Sequence, residues 1–168
     1  MGCGKSTVGE ALARRLNCPF LDLDSRIEAA AGCSISEIFD RQGEAAFRDL
    51  EHRELRAALC DAKNARAAVA LGGGAFAQPA NAELVEQSGG LTVWLDAPPE
   101  MLLERCARHS TDRPLARDPE RFRNLYRERL PFYARARLRV DAAAPREAVV
   151  EQILAGLGLA TPPARGEA

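Results

Sequence analysis

Lysine is almost missing from this chain. It carries 23 basic residues in 168, and all but Lys5 and Lys63 are arginine. The bias fits a GC-rich genome, and the guanidinium also suits bidentate recognition of carboxylate and phosphate. Net charge is missing too: 24 acidic residues leave a formal −1, which argues against bulk binding to nucleic acid or to a membrane surface. No apolar stretch approaches the ~18 residues of a membrane-spanning helix, and nothing resembles a signal peptide. The five cysteines (Cys3, Cys18, Cys33, Cys60, Cys106) form no C-x-x-C pair. They read as free thiols of a reducing cytoplasm. The two histidines, His52 and His109, are too far apart in sequence to argue a metal site. Repeats and low-complexity blocks are absent as well.

What remains is a chain of one domain's length with an ordinary apolar fraction of 46%. Short apolar runs alternate with helical stretches. Pro19–Leu23, Ala67–Leu71, Leu91–Leu95 and Leu138–Val140 read as strands. Helices are expected from about Thr7 to Leu16, from Ser25, from Ser34 to Cys60 with a break near Gly43, from Asn81 to Gln87, from Pro99 to Arg108, from Glu120 to Ala136 with a kink at Pro131, and from Pro145 to Leu157. The alternation means βαβ units and a parallel sheet covered on both faces, an α/β domain over residues 1–158. Residues 108–118 are polar and suit a lid, and residues 159–168 read as a disordered tail.

The chain opens on Gly2-Cys3-Gly4-Lys5-Ser6-Thr7, the back half of the phosphate-binding pattern G-x-x-x-x-G-K-[ST]. Glycines let backbone amides curl around phosphate oxygens, Lys5 reaches the β- and γ-phosphates, and the Ser6 hydroxyl ligates Mg²⁺. The full pattern calls for one more glycine upstream of Met1 and an apolar strand before it. The expectation is that translation begins roughly ten residues earlier.

Ligands of such sheets bind at the carboxyl ends of the strands, which selects Asp22, Asp24, Gly72 to Gly74 and Asp96. Asp22 and Asp24 could divide the work of holding Mg²⁺ and orienting an attacking hydroxyl; alternatively Asp24 is only the N-cap of a helix from Ser25. Asp96 competes with Asp22 for the metal. Glu44 and Arg48 stand at i, i+4, which alone describes a surface ion pair. Gly72–Gly74 allow close approach of backbone to ligand, or merely join a strand to a helix. Arg113-Pro114-Leu115 fits either a lid arginine over a γ-phosphate or a solvated loop. Arg129 and Tyr133 flank Pro131.

Taken in order, GCGKST, FLDLDSRIE with GCSISEIF, GEAAFRDLE, GGGA, RPL and RLPFY resemble the shikimate kinases, from Gly2 to about Ile153. The resemblance implies a three-layer P-loop kinase fold like that of nucleoside-monophosphate kinases, with its first strand lying before Met1. It implies transfer of the ATP γ-phosphate to the 3-hydroxyl of shikimate, with Mg²⁺. It casts Lys5, Asp24 and Arg113 as catalytic, and Ser6 and Asp22 as the metal site. ATP falls to Gly2, Cys3, Gly4, Lys5, Ser6, Thr7, Arg108, Arg113 and Pro145, with Arg108 and Pro145 flanking adenine. Shikimate falls to Asp24, Arg48, Gly72, Gly73, Gly74 and Arg129. A cytoplasmic monomer is expected. The rivals are a gluconate kinase of the same fold and a form that binds ligand without turnover.

Overall fold

The computed structural model describes residues 2–64, 66–109 and 118–159. The first helix, α1 (Lys5–Leu16), starts two residues earlier than the periodicity suggests, because Gly4 at φ 81° turns the chain directly into it. Its apolar stripe buries Val8 and Leu16, while Arg14 and Arg15 complement the negative end of the helix dipole. Strand β1 (Phe20–Asp22) is short. It stops at Asp22 because that residue, still extended, caps α2 (Leu23–Ala31): its Oδ1 accepts the Asp24 N–H at 3.0 Å. The cap is therefore Asp22 rather than Asp24, and α2 begins before Ser25.

Helix α3 (Ile35–Asn64) contains the expected break at Gly43, where φ 79° and ψ 176° interrupt the helical run. Its start is a capping box, with Ser34 Oγ accepting from Glu37 N and Glu37 Oε2 accepting from Ser34 N. Then come β2 (Ala68–Ala70), a 3-10 turn (Ala75–Ala77), α4 (Pro79–Ser88), β3 (Val93–Asp96), α5 (Pro99–His109), α6 (Pro119–Tyr133), β4 (Leu138–Asp141) and α7 (Arg146–Gly156). Helix α4 begins two residues before Asn81 because Pro79 suits the first helical turn. Helix α6 ends at Tyr133, two residues past Pro131.

The strands form two parallel pairs. β1 lies beside β2 in the register Leu21 to Val69, and β3 beside β4 in the register Leu95 to Val140. Between the facing edges of β2 and β3 is an apolar cavity of about 510 Å³, lined by Ala68 to Leu71, by Val93 to Leu95 and, from α1, by Val8 and Leu12. The order α/β/α is as expected; the sheet itself is in two halves among the described residues.

Three apolar clusters hold the layers. α1 packs on α7 and β4 through Val8, Leu16, Val140, Val149 and Ile153. α2, α3 and α4 close around Leu23, Ile27, Ile38, Phe47, Leu55 and Val85. Cys3 joins Leu102, Cys106 and Phe122 of α5 and α6. Leu59 and Leu71 are half-buried against the second cluster. Leu55 is fully buried there. Leu55→Ala should cost about 2–5 kcal/mol, read as a lower urea midpoint with an unchanged slope.

Candidate active site

The carboxyl ends of β1 and β2, the start of α1 and the inner face of α3 meet at one place. Gly2 (φ 67°) and Gly4 (φ 81°) bend the loop so that Lys5, Ser6 and Thr7 form the first turn of α1. No side chain caps that turn, so its backbone N–H groups stay available to an anion and the helix dipole favours one. Cys3 anchors the loop from below, buried against α5 and α6. Ser6 Oγ donates to Asp22 Oδ2 at 2.7 Å, linking residues sixteen apart in sequence. Both are hard oxygen donors on an open face, the donor type a divalent magnesium ion takes.

Asp96 is placed differently. Tyr126 donates to its Oδ1 at 2.9 Å, and Arg139 reaches its Oδ2 from Nε at 2.9 Å and also from NH2. Arg139 in turn lies over the Trp94 ring, 4.8 Å from the centroid. Burial, and then the bond to Asp96, push the Tyr126 hydroxyl up to about 12. Asp96 is thus tied to an arginine and a tyrosine between strand ends and α6, whereas Asp22 faces the loop serine with one oxygen and caps α2 with the other.

Asp24 sits in the first turn of α2 against the glycine run. A Cβ on Gly72 would lie 2.7 Å from Asp24 Oδ1 and 3.5 Å from Glu51 Oε1. A Cβ on Gly74 would lie 3.0 Å from NH2 of Arg129 and 3.1 and 3.2 Å from the two terminal nitrogens of Arg48. Two guanidinium groups from residues far apart in sequence therefore converge on one glycine, and a carboxylate lies against another glycine two residues away. Gly73 is held as well, since its carbonyl accepts from the Tyr133 hydroxyl. Burial pushes the Tyr133 hydroxyl up, opposed by the Arg129 guanidinium beside it.

Arg48 is half-buried and held on two sides. Its NH1 donates to Glu51 Oε2 at 2.9 Å, and its NH2 and Nε reach Glu44 Oε1 at 3.0 and 3.2 Å. Glu44 is largely exposed, but Glu51 is 1% exposed. Burial pushes the Glu51 carboxyl up, and the Arg48 bond and charge pull it back. Nearby Asp24 adds to the rise and Arg129 opposes it. Glu51 escapes a reading of the sequence by site motifs, although its spacing places it on one helix face with Glu44 and Arg48.

Of the residues singled out from the sequence, Lys5, Ser6, Asp22, Asp24, Arg48, Gly72 to Gly74 and Arg129 come together. Pro145 is the exposed N-cap of α7, beyond the carboxyl end of β4. Arg108 lies in the last turn of α5. Arg113 and most of the expected lid lie outside the described residues, as does the tail after Leu159. Leu159 itself packs on the cluster of α1 and α7. No described helix is long and apolar enough to cross a membrane.

The family model described as shikimate kinase matches residues 1–157. A shikimate kinase of Ruegeria pomeroyi is 44% identical over 162 residues, covering 94% of this chain and 80% of the relative. The crystal structure of shikimate kinase from Aquifex aeolicus superposes with a TM-score of 0.80 at 39% identity, covering 94% of this chain and 92% of that one. Shikimate kinase from Acinetobacter baumannii, solved in complex with shikimate, gives 0.81 at 34% identity over 94% and 89% of the two chains. A gluconokinase from Sinorhizobium meliloti gives 0.60 at 23% identity over 94% and 87%, a likeness of fold alone.

Proposed function

This chain belongs to the shikimate kinase family, and from that premise we propose how its residues carry the phosphorylation of shikimate by ATP. The activity is that of an ATP-dependent kinase. The observation that supports the residue roles is the meeting of Arg48 and Arg129 at Gly74 while Asp24 lies against Gly72. A ring carboxylate held by the two guanidinium groups leaves a hydroxyl of the same ring facing Asp24.

In this reading the amides of the first turn of α1 cradle the ATP phosphates and Lys5 neutralises the γ-phosphoryl as charge builds on it. Ser6 and Asp22 would hold Mg²⁺, which supplies charge neutralisation on the phosphate oxygens when bound. Asp24 accepts the proton of the 3-hydroxyl as its oxygen bonds to the γ-phosphorus and the bond to the ADP oxygen breaks. Gly72, Gly73 and Gly74 let the ring approach the backbone. Arg113 closes over the transferring group, and Arg108 and Pro145 flank adenine. Phosphoryl transfer leaves little covalent chemistry to the protein, so positioning and charge supply most of the rate. Action as a monomer in the cytoplasm completes the reading.

The test is an ADP-release assay with shikimate, gluconate and a nucleoside monophosphate. Turnover is expected with shikimate. Arg48→Ala should raise the shikimate KM by about 10- to 100-fold, the loss expected when one charged partner of a carboxylate is removed. An active Arg48→Ala enzyme with an unchanged shikimate KM would disprove the assignment. Ligand binding without any ADP release would favour the non-catalytic alternative.

A further inference from the structure

Behind the two guanidinium groups lies a buried polar chain to which the proposed reaction assigns no part. Asn81 of α4 is 2% exposed and Glu51 is 1% exposed, the two buried polar residues among those described. Asn81 Nδ2 faces Glu51 Oε2 at 3.5 Å, and that same oxygen takes the 2.9 Å bond from Arg48. On its other side Asn81 Oδ1 lies 2.8 Å from His52 Nδ1. An amide oxygen only accepts, so His52 must carry its proton on Nδ1 in this arrangement. The Glu51 carboxylate decides which way the amide points, and the His52 N–H then satisfies the amide oxygen. Turned over, the amide would set its oxygen against a buried carboxylate, and two acceptors would face each other.

We propose that Asn81 and His52 are positioning residues for the substrate carboxylate site. The His52 N–H satisfies the Asn81 amide oxygen, the amide's N–H end steadies Glu51, and Glu51 holds the Arg48 guanidinium where it meets Arg129 at Gly74. Glu51 is faced by Arg48 from α3, Asp24 from α2, Arg129 from α6 and Asn81 from α4. Without the neutral donor from α4, a buried carboxylate beside Asp24 would draw Arg48 away from an incoming anion. Arg48 also has the exposed Glu44 as a second partner, so its position rests on the balance between the two carboxylates. The inference rests on Arg48 being a carboxylate grip, as proposed above.

The experiment measures kcat and the KM of shikimate and of ATP for Asn81→Asp, His52→Phe and His52→Asn, with Arg48→Ala alongside. Asn81→Asp keeps the shape and sets a second carboxylate against Glu51. It should raise the shikimate KM about tenfold, while the ATP KM stays within about twofold. His52→Phe removes the donor and should raise the shikimate KM about threefold to fivefold. His52→Asn, which keeps an N–H at the same place, should restore most of that loss. Should Asn81→Asp fail to fold, the histidine pair decides alone.

An unchanged shikimate KM in both Asn81→Asp and His52→Phe, or equal shifts in both KM values, overturns the inference and leaves Asn81 as a tie between α3 and α4. If Arg48→Ala alone weakens shikimate binding, only the positioning role fails. If Arg48→Ala has no effect either, the carboxylate grip itself fails.

Discussion

Lys5→Met lowers kcat about a thousandfold, a loss of about 4 kcal/mol in transition-state stabilisation. The argument begins with the first turn of α1. Gly4 is its N-cap and no side chain closes its amides, so in the proposed reading phosphate oxygens would meet backbone donors and one ammonium group there. The backbone donors bind the ground state and the transition state alike. The ammonium group is mobile enough to follow charge onto the bridging oxygen as the bond to the γ-phosphorus loosens, so its loss falls on kcat more than on KM. Methionine keeps much of the stem's length and packing without the charge. The melting temperature should therefore stay close to that of the parent, and the ATP KM should rise only a few-fold. A kcat within tenfold of the parent in the ADP-release assay would remove Lys5 from the chemistry.

Asp24→Asn is the second large effect, with kcat expected to fall about 10²- to 10³-fold. Helix capping was the competing explanation for this residue, and the geometry separates the two. Asp22 supplies the cap of α2, accepting the Asp24 backbone N–H, and an asparagine at position 24 keeps that N–H. The substitution thus leaves α2 capped and nearly isosteric, and a stability change of more than about 1 kcal/mol is not expected. What it removes is a negatively charged acceptor packed against Gly72. Because the acceptor is needed as the hydroxyl oxygen becomes a nucleophile, kcat should fall further than shikimate affinity. A variant with near-parental kcat, or one whose only defect is a lower melting temperature, would return Asp24 to a structural role.

The elements themselves were legible because their signals are local. Val8, Leu12 and Leu16 recur at helical spacing, and Gly43 breaks a helix where φ becomes positive. The phosphate loop was legible because its chemistry is compressed into six consecutive residues. Arg48 shows the limit of such reading. From the sequence it is half of an i, i+4 ion pair, and that pair with Glu44 does form. What the spacing cannot show is that the other side of the guanidinium is held by Glu51 and that Arg129 arrives beside it from α6. Asn81 and His52 carry no local signal, since a buried amide and a half-buried imidazole look from sequence like any polar surface. The sequence places Asp22 and Asp24 together at a strand's carboxyl end, but the strand ends at Asp22 and the second carboxylate rides on a helix. Asp96 was legible as a strand-end acid. Its partners Arg139 and Tyr126 come from β4 and α6, neighbours that only the register of the strands brings into reach.

The helix that presents the phosphate loop also joins the molecule's two halves. α1 packs against the β1–β2 pair on one side and against α7 and the β3–β4 cluster on the other, across the cavity that separates the two sheets. In the proposed reading a nucleotide at its N-terminus would sit on a helix packed against both strand pairs. Its binding free energy adds to the folding of both halves together, so thermal stability should rise with the logarithm of nucleotide concentration. Under the proposed assignment ATP would act on the chain twice, as phosphoryl donor and as a ligand that raises the stability of the folded state.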